Sequence, residues 1–156
     1  MKVLLLAFLL VLTHTQQCYN ANGVAVQWWV ILKVPPKIGS YAYAYFDSNQ
    51  QTNSFIIYDG PVDSGQTALT RTLESINLNN LSRIAWNDQI PNGTTSSTSA
   101  HSKGTIAFDV DTQRGFLLSH SIPKYPNILN GTVFYEIGSS QQVYGQHLSC
   151  FTFDLL

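Results

Sequence analysis

Two cysteines near opposite ends of the chain, Cys18 and Cys150, constrain its fold more than any other feature. They are the only cysteines among 156 residues. In an oxidising compartment they are expected to pair, which closes almost the whole domain into one covalent loop. In the chain-entropy model, a loop of this length stabilises the folded state by about 4–5 kcal/mol. Two free buried thiols are the alternative, so the compartment decides between the two states.

The N-terminal residues indicate an oxidising compartment. A short basic start, Met1-Lys2, precedes an unbroken apolar run from Val3 to Leu12. This run is too short to span a bilayer and is typical of a secretory signal peptide. We predict a signal peptide over residues 1–15 and a single domain over residues 16–156, the alternative being an uncleaved membrane anchor. No later segment is apolar enough to span a membrane.

Three sequons of the form Asn-x-Ser/Thr agree with passage through the secretory pathway. They begin at Asn80, Asn92 and Asn130. One such motif is weak evidence, but three behind a signal peptide favour a glycoprotein. The expected location is therefore secreted or lysosomal.

The composition excludes a disordered chain and a general polyanion-binding protein. Hydrophobic residues make up 44% and charged residues 11%, a balance that is too apolar for disorder. The formal net charge is −1 and the sequence has no basic run, so any affinity for nucleic acid is expected to be local. It should also depend on pH, through protonation of His101, His120 and His147.

Hydrophobic patterning predicts a domain made mostly of strands. The predicted strands are residues 24–34, 41–46, 55–58, 81–86, 105–110, 116–120 and 146–153. Helical spacing of Leu69, Leu73 and Ile76 predicts one helix over residues 66–78. Two prolines and an Asn-Gly pair predict an irregular segment over residues 123–131. This order indicates an α+β domain, built on a mixed β-sheet with flanking helices.

A candidate site lies in the segment from His101 to Asp109. Because side chains alternate along a strand, His101, Lys103 and Asp109 share one face, while Ile106 and Phe108 are expected to point to the core. A lysine can hold a phosphoryl oxygen, and a histidine can attack phosphorus or transfer a proton. The His-x-Lys pair therefore suits a phosphodiester. The alternative is an ordinary exposed strand end.

A hairpin would bring His120 to the same face. We expect its turn to centre near Gln113, which pairs Asp109 with Phe116 and Thr105 with His120. A shift of one residue would move His120 to the opposite face. The alternatives are a packed or solvated histidine at this position, and an Asp109 that only starts the turn.

Other chemistries lack their sequence motifs. The chain has no Gly-rich phosphate loop, no Ser/His/Asp spacing, no Cys-x-x-Cys pair and no cluster of carboxylates. A magnesium-dependent nuclease requires such carboxylates. If the chain hydrolyses phosphodiesters, it is therefore expected to do so without a metal ion or other cofactor.

Short segments spread along the chain occur in the same order in one known family. They are residues 18–23 (CYNANG), 28–29 (WW), 32–35 (LKVP), 68–73 (ALTRTL), 86–91 (WNDQIP), 101–104 (HSKG) with Asp109, 115–116 (GF), 120–126 (HSIPKYP), 144–146 (YGQ) and Cys150. Each is weak alone, but in this order they resemble the N-terminal half of the deoxyribonuclease II family. The resemblance covers nearly all of the predicted mature chain.

The resemblance implies a phospholipase D-like half-domain. In that fold two similar halves each contribute a His-x-Lys motif to one shared site. His101 and Lys103 match the first motif, and His120 matches a histidine that the family keeps near its site. Cys18 and Cys150 match the family's paired cysteines.

The implied activity is metal-independent DNA hydrolysis at acid pH in a lysosomal or secreted setting. One histidine attacks phosphorus to form a phosphohistidine, and another protonates the leaving 5′ oxygen. Water then releases a 3′-phosphate end, while lysines stabilise the charged oxygens. Acid pH is expected because the proton-donating histidine must be charged.

The sequence departs from the family at two points. A second His-x-Lys motif is absent, and Ala100 stands where the family usually has glycine. Three interpretations remain open: a homodimer that completes the site, an inactive truncated product, or a secreted non-catalytic protein that binds DNA or a protein partner.

Overall fold

A computed structural model describes residues 15–36, 41–77, 82–91, 93, 98, 102–129, 132–134 and 136–155. The predicted signal peptide up to residue 14, the three sequon asparagines and His101 lie outside these residues. The described strands are β1 (Cys18–Tyr19), β2 (Ala25–Val26), β3 (Trp28–Val34), β4 (Ala42–Asp47), β5 (Ile56–Asp59), β6 (Ser82–Asn87), β7 (Lys103–Asp109), β8 (Arg114–His120), β9 (Asn127–Leu129), β10 (Thr132–Phe134) and β11 (Gln146–Asp154). The described helices are α1 (Ala68–Glu74), which continues as a 3₁₀ turn (Ser75–Asn77), and α2 (Ser139–Gln142).

In the described part of the chain, seven strands form one sheet in the order β5-β4-β3-β11-β8-β7-β6. Two meanders of three strands, β3–β5 and β6–β8, lie on either side of the last strand, β11. The predicted α+β class is confirmed. A mixed sheet was expected, but every pairing in this described sheet is antiparallel. Consecutive strands within each meander are neighbours, so they need no parallel crossover.

One face of this sheet packs on α1 and carries the core. Trp29, Ile31 and Leu118 are fully buried there, together with Leu69 and Leu73 of the helix. The core side chains of each strand recur at every second residue, as the pleat requires. The core of the domain therefore lies between the sheet and α1.

The opposite face of the sheet is open and apolar. Leu32 and Phe151 are 41% and 47% exposed, and Ile84 is 62% exposed. Ile106 and Phe108 are half-buried and lie on this side, so their expected core position is wrong. Both faces of β7 carry apolar residues, and the face that packs on α1 is the one that begins with Lys103.

Helix α1 begins with a capping motif that follows a short loop. The Thr67 hydroxyl accepts the N–H of Thr70 at 3.1 Å, and the Thr70 hydroxyl accepts the N–H of Thr67 at 3.0 Å. These reciprocal bonds satisfy backbone groups that a helix start leaves free. The α-helix is shorter than the predicted range of 66–78 because the chain tightens into the 3₁₀ turn at Ser75.

Cys18 and Cys150 form the disulfide that the sequence predicts, across 132 residues of chain. The bond joins β1 to the central strand β11. The Cys18 N–H also donates to the Thr152 hydroxyl at 3.0 Å. The N-terminal end of the domain is therefore attached to the middle of the sheet.

The segment predicted to be irregular contains strand β9, which pairs antiparallel with β10 just after that segment. Leu129 pairs with Thr132, so the connection between the strands is the Asn-Gly dipeptide, which lies outside the described residues. Asn-Gly is the preferred sequence of two-residue hairpin turns, and this was the missed signal. Among the described residues, no helix has the length and apolar character needed to cross a bilayer.

Candidate functional site

Lys103 and His120 are directly paired in the β7–β8 ladder. Asp109 pairs with Arg114, so the register differs by two residues from the expected pairing of Asp109 with Phe116. An even shift preserves the face, and for this reason His120 still shares the face of Lys103. Strand β8 begins two residues earlier than predicted, which shortens the connection and brings the two side chains directly opposite each other.

The pair is buried rather than solvated. Only 2% of Lys103 and 4% of His120 is exposed. The interpretation of Lys103 as part of an exposed strand end is therefore wrong. A buried ammonium needs a compensating charge because transfer out of water is costly.

Asp88 provides that charge through an ion pair with Lys103. The Asp88 side chain is 4% exposed. Asp88 comes directly after strand β6, whose last residue, Asn87, pairs with Lys103. Sequence reasoning missed Asp88, although it lies in the WNDQIP segment of the resemblance. A carboxylate far from the motif in sequence has no spacing signal, and only the β6–β7 pairing brings it close.

His120 is held as a neutral ring. Its Nδ1 accepts the N–H of Ile122 at 3.2 Å, and its ring meets Tyr125 edge-on at 5.6 Å. Burial, and after it the charge of Lys103, lowers the pKa of His120 to about 4. With Nδ1 accepting, the proton of the neutral ring lies on Nε2, an atom with no hydrogen-bond partner among the described residues. His120 is therefore placed to donate a neutral hydrogen bond, not a full proton, at mildly acidic pH.

We predict that burial of neutral His120 makes the fold sensitive to acid. The unfolded chain binds a proton near the ordinary histidine pKa, whereas the folded chain does not until about pH 4. Stability is therefore complete above the unfolded pKa and falls as the pH decreases toward 4, by about 3 kcal/mol for this group. Urea unfolding between neutral pH and pH 4 should show a weaker pH dependence in His120→Asn than in the wild type. An equal slope in the wild type and in His120→Asn would contradict this prediction.

The structure does not bring Asp109 to this pair. Asp109 ends β7, whereas Lys103 begins it, about 20 Å away at the rise of a strand. Its Oδ1 accepts the N–H groups of Asp111 at 2.8 Å and Thr112 at 3.4 Å. This is the geometry of a residue that starts a turn.

His101, the other residue of the motif, lies outside the described residues, two positions before Lys103. Its role stays a prediction from the sequence. Within the described residues, no group of three or more His, Cys, Asp or Glu side chains is arranged to hold a metal ion.

The chain is similar, over most of its length, to a class of proteins named deoxyribonucleases. The chain is 34% identical to deoxyribonuclease-2-alpha of Bos taurus over 99% of its length. It is 32% identical to the Rattus norvegicus protein of the same name over 96%, and 31% identical to deoxyribonuclease-2-beta of Mus musculus over 87%. The aligned regions cover 44%, 45% and 40% of those relatives, so the chain spans less than half of their length.

The family model described as Deoxyribonuclease II matches residues 17–155. This chain belongs to the deoxyribonuclease II family.

Proposed function

We propose that this domain is an acid, metal-independent endonuclease that hydrolyses DNA phosphodiesters. The observation that carries the proposal is the buried pair of Lys103 and His120 on one strand face, in a chain of the deoxyribonuclease II family. The proposal includes a phospholipase D-like half-domain and a secreted or lysosomal glycoprotein with sugars at Asn80, Asn92 and Asn130.

The proposed roles follow from the chemistry of each side chain. His101 attacks phosphorus, so that a phosphorus–nitrogen bond forms while the bond to the 5′ oxygen breaks and a proton reaches that oxygen. Water then attacks phosphorus, the phosphorus–nitrogen bond breaks, and a 3′-phosphate end remains. Lys103 offsets the charge that develops on the phosphoryl oxygens. His120 donates its Nε2 hydrogen bond to the same group.

The proton for the leaving oxygen must come from a histidine that is charged at acid pH. The lowered pKa of His120 leaves it mostly neutral at about pH 5, so it is poorly suited to this role. A second copy of the chain would supply the missing acid through its own His101. We therefore include a homodimer in the proposal.

The first test is nicking of supercoiled plasmid at about pH 5 in the presence of chelator. The glycosylated, secreted wild-type protein should produce nicks with 3′-phosphate ends. His101→Ala should produce none, because the nucleophile is lost. His147→Gln is the matched control, since it replaces an exposed histidine outside the pair.

The alternative is a secreted non-catalytic half that binds DNA or a protein partner. The single His-x-Lys motif favours this alternative. It predicts acid-dependent retention of DNA by folded protein without any nick. Cleavage retained in His101→Ala would remove this residue from the mechanism, and cleavage by a protein of monomer mass would contradict the homodimer.

A further inference from the structure

The turn that follows β6 is bonded to the loop that follows His120. The Asn87 amide donates to the carbonyl oxygens of Ile122 at 3.3 Å and Tyr125 at 3.1 Å. Its Oδ1 accepts the N–H of Gln89 at 2.8 Å, which closes the turn. The Gln89 carbonyl accepts the N–H of Lys124 at 2.9 Å. These bonds fix the backbone on both sides of Asp88.

Asp88 lies between these two bonded residues in the chain, and its carboxylate is in contact with the Lys103 ammonium. Both side chains are almost fully buried. His120, which pairs with Lys103 across the β7–β8 ladder, carries no negative charge and so does not compete with Asp88 for the ammonium. In such surroundings an ion pair with fixed geometry limits where the ammonium can lie.

We propose that Asp88 is the positioning residue for Lys103. Its carboxylate directs the ammonium to one point beside His120, while Asn87 ties the backbone next to Asp88 to the loop that follows His120. Asp88 acts through Lys103, because a carboxylate in direct contact with a phosphodiester would repel it. This inference rests on the proposed nuclease function and deepens it.

The test combines DNA cleavage with chemical labelling of lysines in the intact, glycosylated protein. Asp88→Asn keeps the shape of the side chain and removes its charge. Because Lys103 is then no longer held in place, kcat should fall by about 100-fold, with a much smaller change in KM. Reductive methylation, read by mass spectrometry, should modify Lys103 faster in Asp88→Asn than in the wild type, relative to exposed Lys124 in the same sample. Asp111→Asn, which neutralises an exposed aspartate in the β7–β8 turn, should change neither measurement.

The two measurements separate this inference from the proposed function. A wild-type protein that never nicks DNA contradicts the nuclease, while a change in Lys103 labelling would still support the contact. Unchanged labelling and unchanged kcat in Asp88→Asn would overturn the positioning role. If Asp88→Asn does not fold, Asp88→Glu decides, because it keeps the charge but displaces it. If Asp88→Glu has a lower kcat while Lys103 stays protected from methylation, the inference is supported. If Asp88→Glu has the kcat of the wild type, the inference is overturned.

Discussion

Replacement of Lys103 by methionine is expected to lower the rate of DNA cleavage by about 100- to 1,000-fold. The ammonium is the cationic group that the described site places beside His120, and methionine fills its space without its charge. The loss should appear in kcat, since the charge that Lys103 offsets develops in the transition state. The measurement is plasmid nicking at about pH 5 in chelator, at a temperature where unfolding experiments show the variant folded.

Lys33→Met is the matched control for this prediction. Lys33 is 5% exposed and lies on the same face of the sheet, but its ammonium donates to the carbonyl oxygens of Gln141, Gln142 and Tyr144 at 3.2, 2.9 and 2.6 Å. Burial lowers its pKa. The variant removes this donor, although the Gln141 carbonyl still accepts the N–H of Tyr144, and should lose about 1–3 kcal/mol of stability. It should still cleave DNA while folded, and an equal loss of cleavage in both variants would contradict a specific role for Lys103.

Removal of the disulfide should have the largest effect on stability. In the double variant Cys18→Ala/Cys150→Ala, the unfolded chain regains the entropy of a loop that spans 132 residues. The free energy of unfolding should fall by about 5 kcal/mol in the chain-entropy model. A loss of this size is a large share of the stability of a single domain.

Urea unfolding at neutral pH measures this loss directly. Wild-type protein treated with reductant should approach the stability of the double variant, which separates the covalent bond from the packing of two sulfur atoms. The Cys18 N–H bond to Thr152 does not involve the sulfur and should persist in both. A loss below about 1 kcal/mol would show that the bond adds little to a fold that other contacts already define.

The strands and the helix could be predicted from the sequence because each depends on local patterning. Alternation and β-branched residues located the strands of both meanders, and the spacing of Leu69, Leu73 and Ile76 located α1. The predicted strand over residues 24–34 is divided at Gln27, whose N–H donates to the Ser48 hydroxyl and whose carbonyl accepts the N–H of Thr152. Such a break arises from distant partners, so a local pattern does not show it.

Local patterning could not predict which face of β7 lies against the core. It could not predict the complete site either. Alternation shows that Lys103 and Ile106 lie on opposite faces, but it does not show which face α1 covers. The carboxylate of Asp88 reaches Lys103 only because β6 pairs with β7. Charged histidines were expected at acid pH, whereas burial beside Lys103 lowers the pKa of His120 to about 4.

The sequence alone determined the family, the positions of most strands, the cysteine pair and the His-x-Lys motif, because these depend on residue identity and short spacing. The tertiary structure decided the β7–β8 register, the burial of Lys103 and His120, the contact with Asp88 and the neutral state of His120. These properties depend on which residues meet across strands and on how far water is excluded from them. Neither cross-strand pairing nor the exclusion of water can be read from a short segment of sequence.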